Sequence, residues 1–236
     1  MSGGIRGCCY ASPEYGDRPS ASKLDAWCVH RDRRAHVRGL ADTGALRGGR
    51  APSDHLKRLH TAGASAVAED GSTLLVYVVD LYDPSAYEYL PSVSAVLRGA
   101  ACRRVDVEIV QTGRYAAPAV AAGVIALLAS EEARVSRVIE AVQRDFFVGG
   151  HSLDEPGVLA RVANDLELDA PAIELFAGGA RAAQLAADDI MLAQDLDRGG
   201  GPLLLASRGT RVFEFDGLGA TGDRLVDQFN SVLDRP

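Results

Sequence analysis

The chain has 236 residues, 47% of them hydrophobic and 24% charged, with a formal net charge of -7. This composition is globular and excludes collagenous, low-hydropathy disordered and disulfide-scaffold classes for the chain as a whole. The negative balance gives no reason to expect nucleic acid as a partner, and the most apolar stretch, Ala116 to Ala129, is too short for a membrane span and carries Pro118.

The first 60 residues differ from the rest. They hold 11 of the 25 basic residues and 6 of the 32 acidic ones, so this segment is +5 and the remainder -12. They also hold Cys8, Cys9, Cys28, the only tryptophan, and the histidines His30, His36, His55 and His60. Apolar residues there follow neither a strand nor a helix period. Adjacent cysteines and the gap in Cys28-x-His30 fit no common zinc spacing. The composition predicts a disordered basic extension over residues 1–72. A start further downstream, at a non-Met codon near Val67, is the alternative. No apolar secretory segment is visible, so the cysteines point to a reducing, cytoplasmic setting.

A folded body is expected over 73–236. Thr73-Leu-Leu-Val-Tyr-Val-Val-Asp80 reads as a buried strand. Asp83-Pro84 opens a helix, with Asp as its cap and Pro in the first turn, running to about Leu97. Val105 to Val110 alternates as a second strand. Four helices follow. The first carries Val135, Val138, Ile139, Val142 and Phe146 and ends at Gly149-Gly150. The second opens at Asp154-Glu-Pro156 and places Val158, Leu159, Val162 and Leu166 on one face. The third opens at Asp169-Ala-Pro171 and closes at Gly178-Gly179. The fourth runs from about Ala180 to Leu196 and ends at Gly199-Gly-Gly201. Leu203 to Leu205 and Arg211 to Phe215 read as two strands joined by a turn at Arg208-Gly209. A last helix, capped by Thr221, turns Leu225, Val226, Phe229, Val232 and Leu233 inward. A parallel pair, then an antiparallel hairpin and a closing helix, predict an α/β sheet covered by helices.

Three segments carry a family likeness: Asp80-Leu-Tyr-Asp83-Pro84-Ser85-Ala86-Tyr87, Phe146-Phe147-Val148-Gly149-Gly150 leading to Asp154-Glu-Pro156, and Leu196-Asp-Arg-Gly-Gly-Gly-Pro202-Leu-Leu-Leu205. Their order resembles the DsbA-like branch of the thioredoxin fold, which includes DsbA-type oxidoreductases, kappa-class glutathione transferases and hydroxychromene carboxylate isomerases. The first segment stands where that family has C-P-x-C or S-P-Y-S. The second is similar to its aromatic pair, glycine and Asp-x-Pro before a helix. The third stands where it places a cis-proline before a strand. The resemblance covers about Thr73 to Leu233. It implies a thioredoxin-like fold with a helical insertion, about 114–196, between the two halves of the sheet.

The resemblance also places the reactive group at the N-terminus of the first helix, where free N–H groups and the dipole favour an anion. Asp83 falls at the first cysteine or the isomerase serine, and Ala86 at the second cysteine. Asp83, Ser85 and Ala86 are thus the candidate catalytic positions. Tyr82, Pro84, Tyr87, Gly201 and Pro202 are the candidate ligand-binding ones, with Gly201 presenting backbone to the ligand and the bond to Pro202 expected cis. Thiol–disulfide exchange needs an attacking thiolate and a resolving partner. No two of the four cysteines stand in C-x-x-C spacing, and the body's only one, Cys102, is expected beyond the far end of the helix. An ionised Asp83 neither donates to a bound thiolate nor tolerates one nearby.

The reading is therefore a DsbA-like protein without thiol redox activity, a binding or scaffold module taking a small molecule or peptide in the cleft beside Pro202. Whether any catalysis survives is left open. The alternative is a glutathione-dependent isomerase or transferase of the kappa-class type, with glutathione as the one candidate cofactor and Ser85, Tyr82 or Tyr87 as donor. A third is a redox enzyme recruiting Cys8 or Cys9. Asp83 also reads as a plain helix cap, and Pro202 as a proline that starts a strand. His151 has no spaced partner for a metal or triad, and the only lysines, Lys23 and Lys57, serve no phosphate loop. Neither nucleic acid nor membrane is an expected partner, and a homodimer is left open.

Overall fold

The computed structural model describes residues 73–130, 134–196, 201–208 and 211–234. The basic extension, its cysteines, the start near Val67 and the turn residue Gly209 lie outside the described residues. In chain order the elements are β1 (Thr73–Val79), α1 (Pro84–Cys102), β2 (Asp106–Gln111), α2 (Pro118–Ser130), α3 (Val135–Phe147), α4 (Val158–Asp165), α5 (Ala170–Ala177), α6 (Ala180–Leu196), β3 (Leu203–Arg208), β4 (Arg211–Glu214) and α7 (Gly222–Leu233).

The strands form one sheet in the order β2-β1-β3-β4. β1 runs parallel to β2 and antiparallel to β3, and β4 returns antiparallel to β3. The alternation of β1 splits its side chains between two cores. Leu75, Tyr77 and Val79 face Val93, Val96 and Leu97 of α1 and Leu225 and Phe229 of α7. Leu74, Val76 and Val78 face Leu192, Ala193 and Leu196 of α6. A strand buried on both faces needs no polar side, which is why β1 is uniformly apolar. α7 packs along α1, where Gly99 leaves the ring of Phe229 3.9 Å from the place a Cβ would take. α1 runs five residues past the end expected at Leu97, to Cys102. Thr221 caps α7 as expected, its hydroxyl accepting the Arg224 N–H at 3.3 Å.

Among the described residues, five helices stand between the sheet halves, one more than the sequence suggested. The extra one is α2, the apolar stretch noted for its length. Every residue from Val120 to Leu128 is buried, among α3, α5 and α6. A helix buried all round shows no polar stripe, so periodicity has nothing to detect. The loop from β2 into α2 passes so close to α6 that a Cβ on Gly113 would lie 2.7 Å from Ile190 Cδ1, and Gly113 sits at φ +63. Both facts call for glycine there.

The register sets the geometry that matters most. Val78 lies opposite Leu203, so Pro202 falls across from Val79. The start of α1 and the approach to β3 therefore share one end of the sheet.

Candidate functional site

The site is built on the turn between β1 and α1. Asp80, 5% exposed, closes it. Its carbonyl accepts the Asp83 N–H at 3.1 Å and its Oδ1 the Tyr82 N–H at 2.9 Å. Its Oδ2 accepts the N–H groups of Tyr115 at 2.6 Å and Ala116 at 3.2 Å. One buried carboxylate thus fastens the start of α1 to the loop after β2. Asp83 is the N-cap itself, extended at φ -76 and ψ 122, with Oδ1 accepting the Ser85 N–H at 2.8 Å. Pro84 follows in the first turn, and the Asp83 carbonyl accepts the Tyr87 N–H at 3.1 Å. Asp83 is 7% exposed and Ala86 0%. The helix end that would stabilise a bound anion already holds one of the chain's own.

The second wall comes from α3 and the loop after it. Gln143, fully buried, donates Nε2 to the Leu81 carbonyl at 3.2 Å. Tyr82 stacks on Phe146 with centroids 3.7 Å apart and planes 4° apart, and Tyr87 stacks on Phe147 at 4.6 Å and 21°. The two phenylalanines meet edge to face. The Tyr82 hydroxyl accepts the Leu153 N–H at 2.7 Å and the Ser152 hydroxyl at 3.1 Å. Burial pushes its pKa up, helped by Asp154 and Asp145, and those two hydrogen bonds pull it back.

Two more tyrosines lie in the core of this region. Tyr77 is wholly buried, and its hydroxyl has no hydrogen-bond partner among the described residues. Burial first, then Tyr89 and Asp83, hold its phenol above the ordinary tyrosine range. Tyr89 donates to the Asp216 carbonyl at 2.6 Å, and burial followed by Asp216 pushes its pKa up to about 12.

The candidate residues divide as follows. Asp83, Pro84, Ser85, Ala86 and Tyr87 lie together at the start of α1, with Gly201 and Pro202 at the same end of the sheet. Ser85 contributes its backbone N–H to the cap. Tyr82, expected as a donor at the rim, is buried, and its hydroxyl accepts from Ser152 and Leu153. Tyr87, 37% exposed, is the tyrosine of the pair that reaches solvent. Pro202 is a correction. No cis peptide bond occurs among the described residues, so the Gly201–Pro202 bond is trans. Trans is favoured by about 0.5–1 kcal/mol before proline, and nothing lies within 4 Å of the place a Cβ would take on exposed Gly201 to hold the other isomer. Cys102 is the exposed last residue of α1, not beyond it. His151 is exposed, its Nδ1 3.8 Å from Glu155 Oε2. No group of three or more metal-binding side chains occurs among the described residues.

Asp80, Gln143, Tyr77 and Ser152 were not singled out from the sequence. Gln143 had a signal, because it stands four residues after Ile139 on the buried arc of α3, where an apolar residue belongs. Asp80 had one too, at the point where an apolar strand meets a turn.

No family model and no curated protein matches the chain. Solved structures do. A protein from Nitrosomonas europaea, provisionally assigned as a protein disulfide isomerase, superposes with a TM-score of 0.58 at 14% identity, over 69% of this chain and 98% of that one. The cytosolic disulfide reductase DsbM from Pseudomonas aeruginosa superposes with a TM-score of 0.54 at 18% identity, over 68% and 98%. The same reductase with GSH gives 0.53 at 18%, over 68% and 99%. The chain has the DsbA-like thioredoxin fold, with a helical insertion between the two halves of its sheet.

Proposed function

We propose that the chain is a binding module on a DsbA-like scaffold, without thiol–disulfide turnover, that takes a small molecule or peptide beside the start of α1 and Pro202. The observation that carries this reading is the cap. Asp83 spends its carboxylate on the Ser85 N–H and Ala86 has no exposed surface, and by the resemblance these two match the positions where the family's redox members hold sulfur. No electron pair can pass through that pair of side chains. The remaining features suit recognition: a fixed turn, a partly exposed Tyr87 and a solvent-facing Gly201.

The test is insulin reduction by the full chain with Cys102→Ser, using glutathione and dithiothreitol in separate arms as reductant. The expected rate equals the uncatalysed background. Turnover above it overturns the reading. A cytoplasmic location follows from the same reading, supported by the cytosolic DsbM likeness, and cell fractionation tests it.

A glutathione-dependent isomerase or transferase is the second reading. Tyr87 favours it as an exposed phenol beside the helix start, and one structural neighbour was solved with GSH. Conjugation of glutathione to 1-chloro-2,4-dinitrobenzene, lost in Tyr87→Phe, would replace the first reading with this one.

A further inference from the structure

α3 has a second face besides the one that carries Gln143, Phe146 and Phe147. Ala141, Arg144, Asp145 and Val148 recur on it at helical spacing, and Arg161, Val162 and Asp165 of α4 stand opposite. A pocket of about 260 Å³ lies between the two faces. Arg161 crosses to Asp145 through two hydrogen bonds of 2.9 and 3.0 Å, which ties the helices together and neutralises both charges. Ala141 and Val162, both buried, give the pocket an apolar floor.

Two charges on the lining remain unspent. Arg144 and Asp165 are exposed, and neither has an ion pair among the described residues, with the other or with any third group. Asp165 is also the last residue of α4, where the dipole disfavours a carboxylate, and no basic residue in that last turn relieves it. Val148, 71% exposed, leaves an apolar side chain uncovered beside them. The nearby His151 faces Glu155, its Nδ1 3.8 Å from Oε2.

One cation, one anion and an apolar floor in a small pocket match a ligand that carries both charges on a short aliphatic body. We propose that the α3–α4 pocket binds a free aliphatic amino acid as its zwitterion. The ligand's carboxylate would pair with Arg144 and its ammonium with Asp165. Its side chain would lie on Ala141 and Val162 and cover Val148. Neither Asp83 nor Pro202 takes part, so the pocket stands apart from the reading of the start of α1.

The test titrates L-leucine into the isotope-labelled full chain at about 0.15 M salt and follows the backbone amide signals by NMR. Saturable shifts are expected at Gly149 and Val162, with half-saturation at millimolar leucine or below. N-acetylleucine lacks the ammonium and leucinamide the carboxylate, and each should bind at least about tenfold more weakly. Arg144→Gln and Asp165→Asn change exposed side chains, so the fold should persist in both. Arg144→Gln should bring leucine down to the level of leucinamide, and Asp165→Asn down to that of N-acetylleucine. No saturable shift up to about 0.1 M leucine overturns the proposal. Equal binding of either blocked form overturns it too, as does leucine binding that both variants leave unchanged.

Discussion

The two ends of α1 are opposites. At its start, Asp83 caps the helix, Asp80 fixes the turn and α3 presses an aromatic pair against it. At its finish stands exposed Cys102, the only cysteine among the described residues. The dipole would lower a thiol's pKa at the first end and raise it at the second. Among the described residues, the one thiol on α1 therefore stands at the end where the dipole disfavours a thiolate. The contrast teaches that the start of α1 is held by the chain's own carboxylates, whereas its finish carries an exposed thiol.

The comparison can be broken most sharply at Asp80. Asp80→Ala strands the N–H groups of Tyr82, Tyr115 and Ala116, and should cost about 3 kcal/mol in urea unfolding. A loss below about 1 kcal/mol would mean that the helix start is not held from this turn. Tyr82→Phe keeps the stack on Phe146 but removes the acceptor for Leu153, and should cost about 1–2 kcal/mol by the same measure.

Asp83→Ala removes the cap and should cost about 1 kcal/mol, whereas Cys102→Ser should change stability by less than about 0.5 kcal/mol. Asp83→Cys sharpens the contrast chemically. The thiol it introduces should alkylate with iodoacetamide at pH 7 at least about tenfold faster than Cys102, and equal rates would show that the start of α1 has lost its activating field.

Alkali probes the middle of the helix. Burial, then Asp216, raises the Tyr89 phenol from its ordinary value of 10.0, kept in the unfolded chain, to about 12 in the folded one. The folded state holds its proton more tightly, so the stability this group contributes is complete below pH 10 and is lost as pH rises through about 12. In pH-jump unfolding, Tyr89→Phe should flatten the loss over that interval, and an unchanged slope would remove Tyr89 from the account.

How much of this was legible depended on whether neighbours or distant contacts set the outcome. Asp83 as cap, Pro84 in the first turn, Thr221 as cap and the two-faced strand at Thr73–Val79 are local matters, and the residues announce them. α2 was hidden by its own burial, since a helix without a wet face leaves no period to read. Tyr82 misled because its partners, Ser152 and Leu153, lie about seventy residues away in sequence. The trans bond before Pro202 follows the ordinary preference at an exposed glycine, which a family likeness does not report. Gln143 could have been found, as a polar residue breaking an apolar arc.

The place of β1 in the middle of the sheet has a consequence for synthesis. As the chain leaves the ribosome, β1 and β2 emerge with the whole of α2 to α6 still to come before β3 can close the other side of β1. Until then an apolar strand waits with one edge unpaired, and late closure of so distant a contact slows folding. Ribosome-bound chains halted before Leu203 should therefore be the ones that clump or recruit chaperones, and those carrying Leu203–Arg208 clear of the exit tunnel should not.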